Sequence, residues 1–278
     1  MGALTTLSRV IAVAIVTWRS NPRVLACAAQ VLETTPEARV VIVDSEAADS
    51  GIAVAGATTI ARAENVGFAA GANLGIERVF ADGAVCAVLL NDDVLVERGC
   101  IDALVLAAGD RCVTSPRIEA AGDDAFAGGR IDWKRGFGSH GPGALDYLTG
   151  AALCIPRSVW EQVGSFNEDL FLYYEDVDWS RRALAAGFEL AIVDDARAAH
   201  AAGSSTAGET WAYYSTRNRL WFLQTYGSVR AARREAIRTG TRARLRAVRS
   251  KHRAVAQAKL AGLADWSAGR MGRGPYPR

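Results

Sequence analysis

Short apolar runs alternate with amphipathic stretches along the first half of the chain. Four runs have the length and β-branched content of buried strands: Ile11–Thr17, Val40–Val43, Thr58–Ala61 and Val85–Leu90. Three stretches have helical spacing: Asn21 to about Glu33, Ala69–Val79 and Ile101–Ala108. This alternation predicts an α/β fold with a mostly parallel central sheet flanked by helices.

The second half of the chain has a different pattern. Residues 122–143 are rich in glycine and aspartate, which predicts a long loop or hairpin. Further elements are predicted beyond it: a strand over Tyr147–Ile155, helices over Ser158–Val163 and Glu175–Ala186, a last strand over Leu190–Val193 and an aromatic-rich helix over Trp211–Tyr226. We therefore expect one domain over residues 1–227.

Charge separates this domain from the rest of the 278-residue chain. Residues 228–278 carry 14 Lys or Arg and 2 Asp or Glu, a net charge of +12, while the whole chain has a net charge of +2. The excess predicts a basic, helical C-terminal extension, with Gly240 as its weak point, that attracts anions. A solvated helix, a nucleic-acid arm and a membrane-surface contact all fit this charge. The extension has no nucleic-acid recognition motif, so peripheral membrane contact is favoured and no nucleic acid is expected.

The cysteines and the length of the apolar runs bear on the compartment. The five cysteines are odd in number, lack C-x-x-C spacing and fall mostly in apolar runs, which predicts free thiols in a reducing compartment. No apolar run reaches the roughly 18 residues of a spanning helix. Val10–Trp18 fits a first strand better than a signal-peptide core. We expect a cytoplasmic protein, with peripheral contact at the inner face of the plasma membrane.

Polar side chains follow three of the predicted strands. Thr17-Trp18, Asp44 and Asn91-Asp92-Asp93 stand at strand ends, and the carboxyl ends of parallel strands meet at one edge of a sheet, where ligands bind. Two adjacent carboxylates after an apolar strand fit either a capping turn or a site for a divalent metal, Mg²⁺ or Mn²⁺.

Three further segments carry candidate chemistry. Gly67, Gly71 and Gly75 recur every four residues, which fits close helix packing or a phosphate-binding helix start. Tyr173 and Tyr174 precede Glu175 and Asp176, and an apolar pocket raises the pKa of a carboxylate that acts as a general base. His200 follows the last strand and precedes Gly203, Ser204, Ser205 and Thr206, which are suited to phosphate.

Together these segments resemble the family 2 glycosyltransferases of the GT-A fold, in particular the rhamnosyltransferase-like branch. The resemblance rests on an ordered set: VAIVTWRSN (Val13–Asn21), VVIVDSEAADS (Val40–Ser50), NVGFAAGANLGI (Asn65–Ile76), LLNDDV (Leu89–Val94), LTGAALCIPR (Leu148–Arg157), FNEDLFLYYEDVDWSRR (Phe166–Arg182) and His200. It covers residues 11–223.

The resemblance implies a role for each matching position. Donor-binding residues would be Thr17, Trp18, Asp44, Asn65, Gly67, Phe68, Asn73, Asn91 and Asp92. Asp93 and His200 would bind the metal, and Asp176 would be the catalytic base beside Glu175. Tyr173, Tyr174 and Trp179 would face the acceptor.

The implied reaction is the transfer of a sugar, with L-rhamnose favoured, from a nucleoside-diphosphate donor to a glycan or polyprenyl-linked acceptor, with inversion. Two alternatives stay open: a metal-dependent nucleotidyltransferase or sugar-nucleotide hydrolase, and a non-catalytic member that only binds a sugar nucleotide.

Overall fold

The structure is a computed structural model that describes residues 10–47, 50–120, 123–140, 143–200, 208–248 and 250–276. Its strands are β1 (Ile11–Trp18), β2 (Arg39–Ser45), β3 (Ala57–Arg62), β4 (Cys86–Asn91), β5 (Val94–Val96), β6 (Cys112–Ala120), β7 (Asp123–Phe126), β8 (Gly128–Asp132), β9 (Phe137–His140), β10 (Tyr147–Leu148), β11 (Ala152–Pro156) and β12 (Glu189–His200). Its α-helices are α1 (Arg23–Thr34), α2 (Gly67–Ala81), α3 (Cys100–Ala108), α4 (Arg157–Val163), α5 (Glu175–Ala185), α6 (Gly208–Phe222), α7 (Val229–Ala247) and α8 (Arg253–Ser267).

The strands form a large mixed sheet and a small one. The large sheet has the order β3-β2-β1-β4-β11-β6-β12-β5, with β7 paired to β6. Adjacent strands are parallel within the run β3-β2-β1-β4, and β6 and β12 are parallel to each other. Strand β11 is antiparallel to β4 and β6, and β5 is antiparallel to β12. The small sheet has the order β10-β8-β9. The predicted α/β fold with a mostly parallel sheet and flanking helices is confirmed.

Alternation along the central strand places a core on each face of the large sheet. Val13 and Ile15 of β1 face the core that also contains Val24 and Val31 of α1. Ala14 and Val16 face the opposite core, where α2 packs so closely that Cβ atoms added at Gly75 and Gly71 would each lie 2.9 Å from them. The packing interpretation of these two glycines is therefore confirmed.

Several predicted elements differ in extent. Tyr147–Ile155 is not one strand: β10 belongs to the small sheet and β11 to the large one, because the chain crosses between the sheets at Gly150. The last strand runs from Glu189 to His200, so His200 ends this strand instead of following it. Residues 122–143 contain β7, β8 and β9, and the β8–β9 pair is the expected hairpin.

The basic extension forms two helices that pack on the body. Helix α7 runs through Gly240 without a break, so the predicted weak point is wrong: Gly240 is buried, and a Cβ there would lie 3.4 Å from Leu263 of α8. Helix α8 lies against α6 at Gly262, where a Cβ would be 2.5 Å from the carbonyl oxygen of Tyr213. A domain boundary at residue 227 stays a prediction.

Two sequence-based expectations concern cysteines and membrane spans. All five cysteines are free, four of them buried and Cys112 half-buried. Within the described ranges, no helix combines the length and the apolar content that crossing a bilayer requires.

Candidate active site

The ends of three neighbouring parallel strands meet at one edge of the large sheet. In the strand register Thr17 of β1 lies opposite Asp44 of β2, and Val16 lies opposite Asn91 of β4. The hydroxyl of Thr17 donates a hydrogen bond of 2.6 Å to Oδ2 of Asp92. The predicted meeting of these strand ends is confirmed, and we call the edge formed by Thr17, Asp44 and Asn91-Asp92-Asp93 the acidic rim.

A histidine from the far end of the chain reaches the acidic rim. Because β12 pairs antiparallel with β5, His200 lies opposite Val94 and so next to Asp93. Nε2 of His200 is 3.2 Å from Oδ1 of Asp93, and Nη1 of Arg23 is 3.6 Å from Oδ2. The hydrogen bond with Asp93 raises the pKa of His200, and burial raises the pKa of Asp92. The rim therefore concentrates negative charge that a cation stabilises.

Trp18 forms an open surface beside the rim. Its ring is 38% exposed, and Nε1 donates to Oε2 of Glu46 at 2.7 Å. The guanidinium of Arg19 stacks over this ring and also donates to Glu46, and this hydrogen bond lowers the pKa of Glu46. An exposed indole held in this way can stack on a nucleobase.

Asp44 lies beneath this surface and is fully buried. Its carboxylate accepts hydrogen bonds from the backbone and hydroxyl of Ser20 and from the hydroxyl of Ser50. A contact between Asp44 and a nucleobase or ribose stays a prediction, and it requires these serines to move aside.

The segment before α2 is held by its own polar groups. Oδ1 of Asn65 accepts the backbone N–H of Gly67 at 3.0 Å, which supports the turn into the helix. A Cβ at Gly67 would lie 2.6 Å from the ring and the carbonyl oxygen of Phe171, so this position also allows a close approach of the chain. Phe68, half-buried, lies against Gly150. Roles of Asn65, Gly67 and Phe68 in donor binding stay predictions.

Two residues predicted for the site lie in the core, and contacts of Asn73 with the donor and of Trp179 with the acceptor stay predictions. Asn73 is 2% exposed, and its side-chain amide makes two hydrogen bonds with the backbone of Phe166. Its oxygen accepts the N–H of Phe166, and its NH₂ group donates to the carbonyl of Phe166. Trp179 is fully buried against Trp160, and its indole N–H donates to the carbonyl of Gly164. Helical position alone could not separate an inward from an outward face of α5.

A strained loop carries the predicted acceptor-side residues toward α5. Phe171, Tyr173 and Tyr174 all have left-handed backbone conformations, with φ of 64°, 67° and 74°. Large side chains adopt this conformation only where surrounding contacts stabilise it. The hydroxyl of Tyr174 donates to the carbonyl of Gly136 at 2.7 Å, and the ring of Phe171 stacks on Tyr214. Acceptor contacts by Tyr173 and Tyr174 stay predictions.

Two buried polar residues of α6 hold this strained loop, and sequence reasoning missed them. The side-chain amide of Asn218 donates to the carbonyl oxygens of Leu170, Leu172 and Tyr173 at 2.8 to 2.9 Å. Arg217 donates to the carbonyls of Leu170 and Gly272, which ties the loop to the C-terminal segment. Such a polar pair within an aromatic-rich helix could have indicated from the sequence that the helix holds another segment, because buried polar groups require hydrogen-bond partners.

The predicted base, Asp176, is held by backbone amides. Its Oδ2 accepts from the N–H of Gly150 and its Oδ1 from the N–H of Val177, both at 2.8 Å. Burial raises the pKa of Asp176, and these hydrogen bonds oppose the rise. The carbonyl of Ala151, next to Gly150, accepts the N–H of Asn91 at 2.9 Å. One short turn therefore joins Asp176 to the acidic rim.

The neighbouring carboxylates differ from Asp176 in accessibility. Glu175 is 5% exposed, and burial followed by the charge of Asp176 raises its pKa well above the usual range. Asp178 is structural: it accepts from Arg182 at 3.0 Å and from the hydroxyl of Tyr226 at 2.6 Å. Asp176 is the half-buried member of the three.

The residues of the rim fit a divalent cation. Asp93 Oδ1 and His200 Nε2 lie 3.2 Å apart, so both would be able to hold one ion. Oδ1 of Asn91 is a buried acceptor without a hydrogen-bond partner among the described residues. The same residues assemble no group of three His, Cys, Asp or Glu ligands, so a bound metal requires further oxygen ligands from elsewhere. Gly203, Ser204, Ser205 and Thr206 lie outside the described residues.

Comparison with known families settles what kind of chain carries this site. The family described as "Glycosyltransferase like family 2" matches residues 8–222. The chain belongs to glycosyltransferase family 2. This match spans the acidic rim, the strained loop, α5 and α6, and it ends just before the basic extension.

Individual relatives in sequence are distant. An uncharacterised protein of Mycobacterium tuberculosis (strain ATCC 25618 / H37Rv) is 30% identical over 136 residues, which cover 46% of this chain and 51% of that one. An N-acetylglucosaminyl-diphospho-decaprenol L-rhamnosyltransferase of the same strain is 30% identical over 79 residues, covering 28% of this chain and 26% of that one. The chain thus spans about half the length of the first relative and a quarter of the second.

Solved structures of glycosyltransferases share the fold. GalNAc-T7, solved with UDP, GalNAc and Mn²⁺, has a TM-score of 0.64 at 17% identity, covering 78% of this chain and 48% of that one. The mannosyltransferase PcManGT from Pyrobaculum calidifontis, solved with GDP-Man and Mn²⁺, has a TM-score of 0.57 at 14% identity, covering 94% and 87%. The predicted GT-A fold is confirmed.

Proposed function

We propose that this protein is an inverting glycosyltransferase that transfers a sugar from a nucleoside-diphosphate donor to a hydroxyl group of a glycan or lipid-linked acceptor. The observation that carries the proposal is the turn at Gly150-Ala151. It joins Asp176, a carboxylate with a raised pKa, to an acidic rim suited to a metal and a diphosphate. Family membership and the GT-A fold support the same reaction class.

The chain's own residues account for the steps of a single displacement. Asp176 takes the proton from the acceptor hydroxyl as its oxygen attacks the anomeric carbon, and the nucleoside diphosphate leaves from the opposite face. Trp18 stacks on the base of the donor, and Tyr173 and Tyr174 orient the acceptor. Backbone amides at Gly150 and Val177 fix the carboxylate of Asp176 before the reaction.

A divalent metal is part of the proposal. Asp93 and His200 would hold it, with Asp92 and Asn91 close by. When bound, such an ion stabilises the negative charge of the departing diphosphate. Because a metal ligand must be a neutral imidazole, binding displaces any proton that His200 shares with Asp93.

The finer assignments rest on relatives. L-rhamnose is the favoured sugar and a polyprenyl-linked glycan the favoured acceptor, by similarity to the mycobacterial rhamnosyltransferase. Peripheral contact with an anionic membrane through residues 228–278 fits a lipid-linked acceptor and the charge of the extension.

The test is a titration of the purified protein with dTDP-rhamnose, UDP-glucose, UDP-galactose and GDP-mannose, with and without Mn²⁺, by calorimetry. We expect metal-dependent binding of one donor, followed by sugar transfer when an acceptor is added. Release of free sugar at the same rate with and without acceptor would instead establish a hydrolase. Binding of a donor with neither product would establish a non-catalytic member, and no binding of any donor would contradict the proposal.

A further inference from the structure

A cavity separate from the acidic rim lies between α6, α7, α8 and the turn that joins β8 to β9. Its volume is about 160 Å³, and since a cavity of roughly 10 to 15 Å³ on this measure holds one water molecule, it admits a group of several heavy atoms. Its basic and acidic lining residues are Arg135, Arg219, Glu235, Arg242, Arg246, His252 and Lys259. The residues predicted for the donor, the metal and the base do not line it.

The carboxylate in this lining is already engaged. Glu235 and Arg219 are both buried, and Oε1 of Glu235 lies 3.2 Å from Nη1 of Arg219. Its other oxygen is 3.8 Å from Arg238. Among the described residues, no carboxylate lies within ion-pair distance of Arg242, Arg246 or Lys259. The positive charge of the cavity is therefore uncompensated by this part of the chain.

Two of the cations are withdrawn from water in part, while Arg242 and Arg246 are exposed. Lys259 is half-buried, and burial together with the charges of Arg246 and Arg219 lowers its pKa. Nε of Arg135 is buried and has no hydrogen-bond partner among the described residues. Guanidinium and ammonium donors in such a place bind phosphate oxygens strongly, because the hydrogen bonds are charge-assisted.

The cavity adjoins the acceptor side of the candidate active site. Nη1 of Arg219 donates to the carbonyl of Arg135, and the hydroxyl of Tyr174 donates to the carbonyl of Gly136, the next residue. Gly136, which lies between the lining residues Arg135 and Phe137, thus contacts the tyrosine that directly precedes Glu175 and Asp176.

We propose that this cavity binds the phosphate or diphosphate group of an anionic ligand. Resting on the proposed function, we further infer that this group is the diphosphate that joins the acceptor's sugar to its lipid. Phe137, Trp211 and Val255 give the cavity apolar walls beside its cations, a combination that suits a phosphate carried on an apolar chain.

The first experiment measures binding of inorganic pyrophosphate and of geranyl diphosphate by calorimetry. The test variant carries Arg242→Gln and Arg246→Gln, both exposed side chains at the mouth of the cavity. The matched control carries Arg233→Gln and Arg234→Gln, two exposed arginines of α7 that do not line it. We expect about tenfold weaker binding in the test variant alone, since each lost charge-assisted contact weakens the complex. Equal affinities in the two variants would overturn the proposal.

A second experiment separates the two sources of phosphate. Vesicles of phosphatidylcholine with geranylgeranyl diphosphate, and others with phosphatidylglycerol, are sedimented with each variant. Loss of binding only to diphosphate vesicles, and only in the test variant, supports a lipid diphosphate. Cavity-dependent binding of pyrophosphate without any vesicle effect supports the phosphate site and overturns the lipid source. Equal losses in both variants on both vesicles would mean general charge attraction and would overturn the site.

Donor binding on the same variants keeps this inference distinct from the proposed function. We expect the test variant to bind the nucleoside-diphosphate sugar as wild type does. Cavity-dependent pyrophosphate binding in a protein that binds no donor would leave the phosphate site standing and remove the transferase. Normal donor binding without cavity-dependent pyrophosphate binding would remove the site alone.

Discussion

At the scale of single residues, the carboxyl group of Asp176 combines two properties that a general base needs. Burial raises its pKa, and two backbone N–H groups fix its orientation. The side chains around it differ in kind: Glu175 is enclosed and Asp178 is tied to Arg182 and Tyr226. Which of these carboxylates is free to act as a base therefore depends on contacts, since all three are acidic residues of the same helical turn.

Replacing Asp176 with Asn tests its role as the base. We expect turnover to fall by a factor of about 10² to 10⁴, the usual contribution of general base catalysis, while the dissociation constant for the donor stays within a few fold of wild type. Steady-state kinetics and donor calorimetry measure the two quantities. Asp195→Asn, at an exposed position of β12, is the control. Normal turnover in the Asp176 variant would remove the assignment.

Glu175 gives a prediction about pH. Its pKa is raised in the folded protein, so the unfolded state loses this proton first as pH rises. The folded protein therefore loses stability as pH rises from the unfolded-state pKa to the folded-state pKa. The slope of this loss is about 1.4 kcal/mol per pH unit.

Replacing Glu175 with Gln removes this slope, because the amide does not ionise. Thermal unfolding between about pH 5 and 8 measures the effect: the stability gained by the variant over wild type should increase with pH. Glu77→Gln, at an exposed position of α2, is the control. A parallel profile for the Glu175 variant would show that its carboxyl titrates normally.

At the scale of elements, the strained loop from Phe171 to Tyr174 depends on two helices. Helix α2 allows its approach at Gly67, where φ is +82° and a side chain would meet Phe171. Helix α6 holds its carbonyl groups through Asn218. The loop therefore transmits changes in either helix to the start of α5.

The contact at Gly67 can be measured against a second glycine of similar conformation. Gly83 has φ of +92° but no atom within 4 Å of an added Cβ, so Gly83→Ala should lower the free energy of unfolding only by the roughly 1 to 2 kcal/mol that a left-handed backbone costs. In Gly67→Ala the added methyl group also meets Phe171. We therefore expect the free energy of unfolding to fall by roughly 1 to 3 kcal/mol more than in Gly83→Ala, the usual cost of overpacking a core. Denaturant unfolding compares the two, and equal losses would contradict a tight contact in solution.

Asn218→Leu removes the donor that holds the loop while keeping the volume. Leaving buried carbonyls without a donor should cost about 1 to 3 kcal/mol of stability. Because the loop leads into α5, kcat should fall while donor affinity is retained. Gln224→Leu, an exposed change nearby, is the control. Unchanged kcat with reduced stability would limit Asn218 to a structural role.

At the scale of the whole molecule, the basic extension is folded onto the body and contributes to the region around the site. Tyr213 and Tyr214 of α6 are buried beneath α8 and the C-terminal segment, and the hydroxyl of Tyr214 donates to the carbonyl of Tyr276. Arg273 reaches Glu46 beside Trp18, at 3.9 Å. These contacts predict that the extension supports the region around the site.

Gly262→Val tests this coupling without removing any charge. A Cβ at Gly262 would meet the backbone of Tyr213, so the variant should separate α8 from α6. We expect a lower melting temperature and lower transfer to a water-soluble acceptor, with the reference Ala254→Val, at an exposed position of α8, close to wild type in both. Full activity of the Gly262 variant would mean that the extension serves only to localise the protein.

The amino-acid sequence determined the features that depend on local periodicity. Buried β-branched runs between helices require a parallel sheet, and parallel strands bring their carboxyl ends together, so the sequence alone places Thr17, Asp44 and Asp92 at one rim. The sequence alone also identifies Tyr173 and Tyr174 before the acidic start of α5.

Only the tertiary structure decided the features that depend on packing between distant segments. Asn73 and Trp179 lie in the core because α2 and α5 turn those faces inward. His200 meets Asp93 because an antiparallel strand places it there, and Asn218 holds a loop 45 to 48 residues earlier in the chain. The pattern along a chain fixes which residues share a face of an element, but which neighbour covers that face is decided when the elements pack.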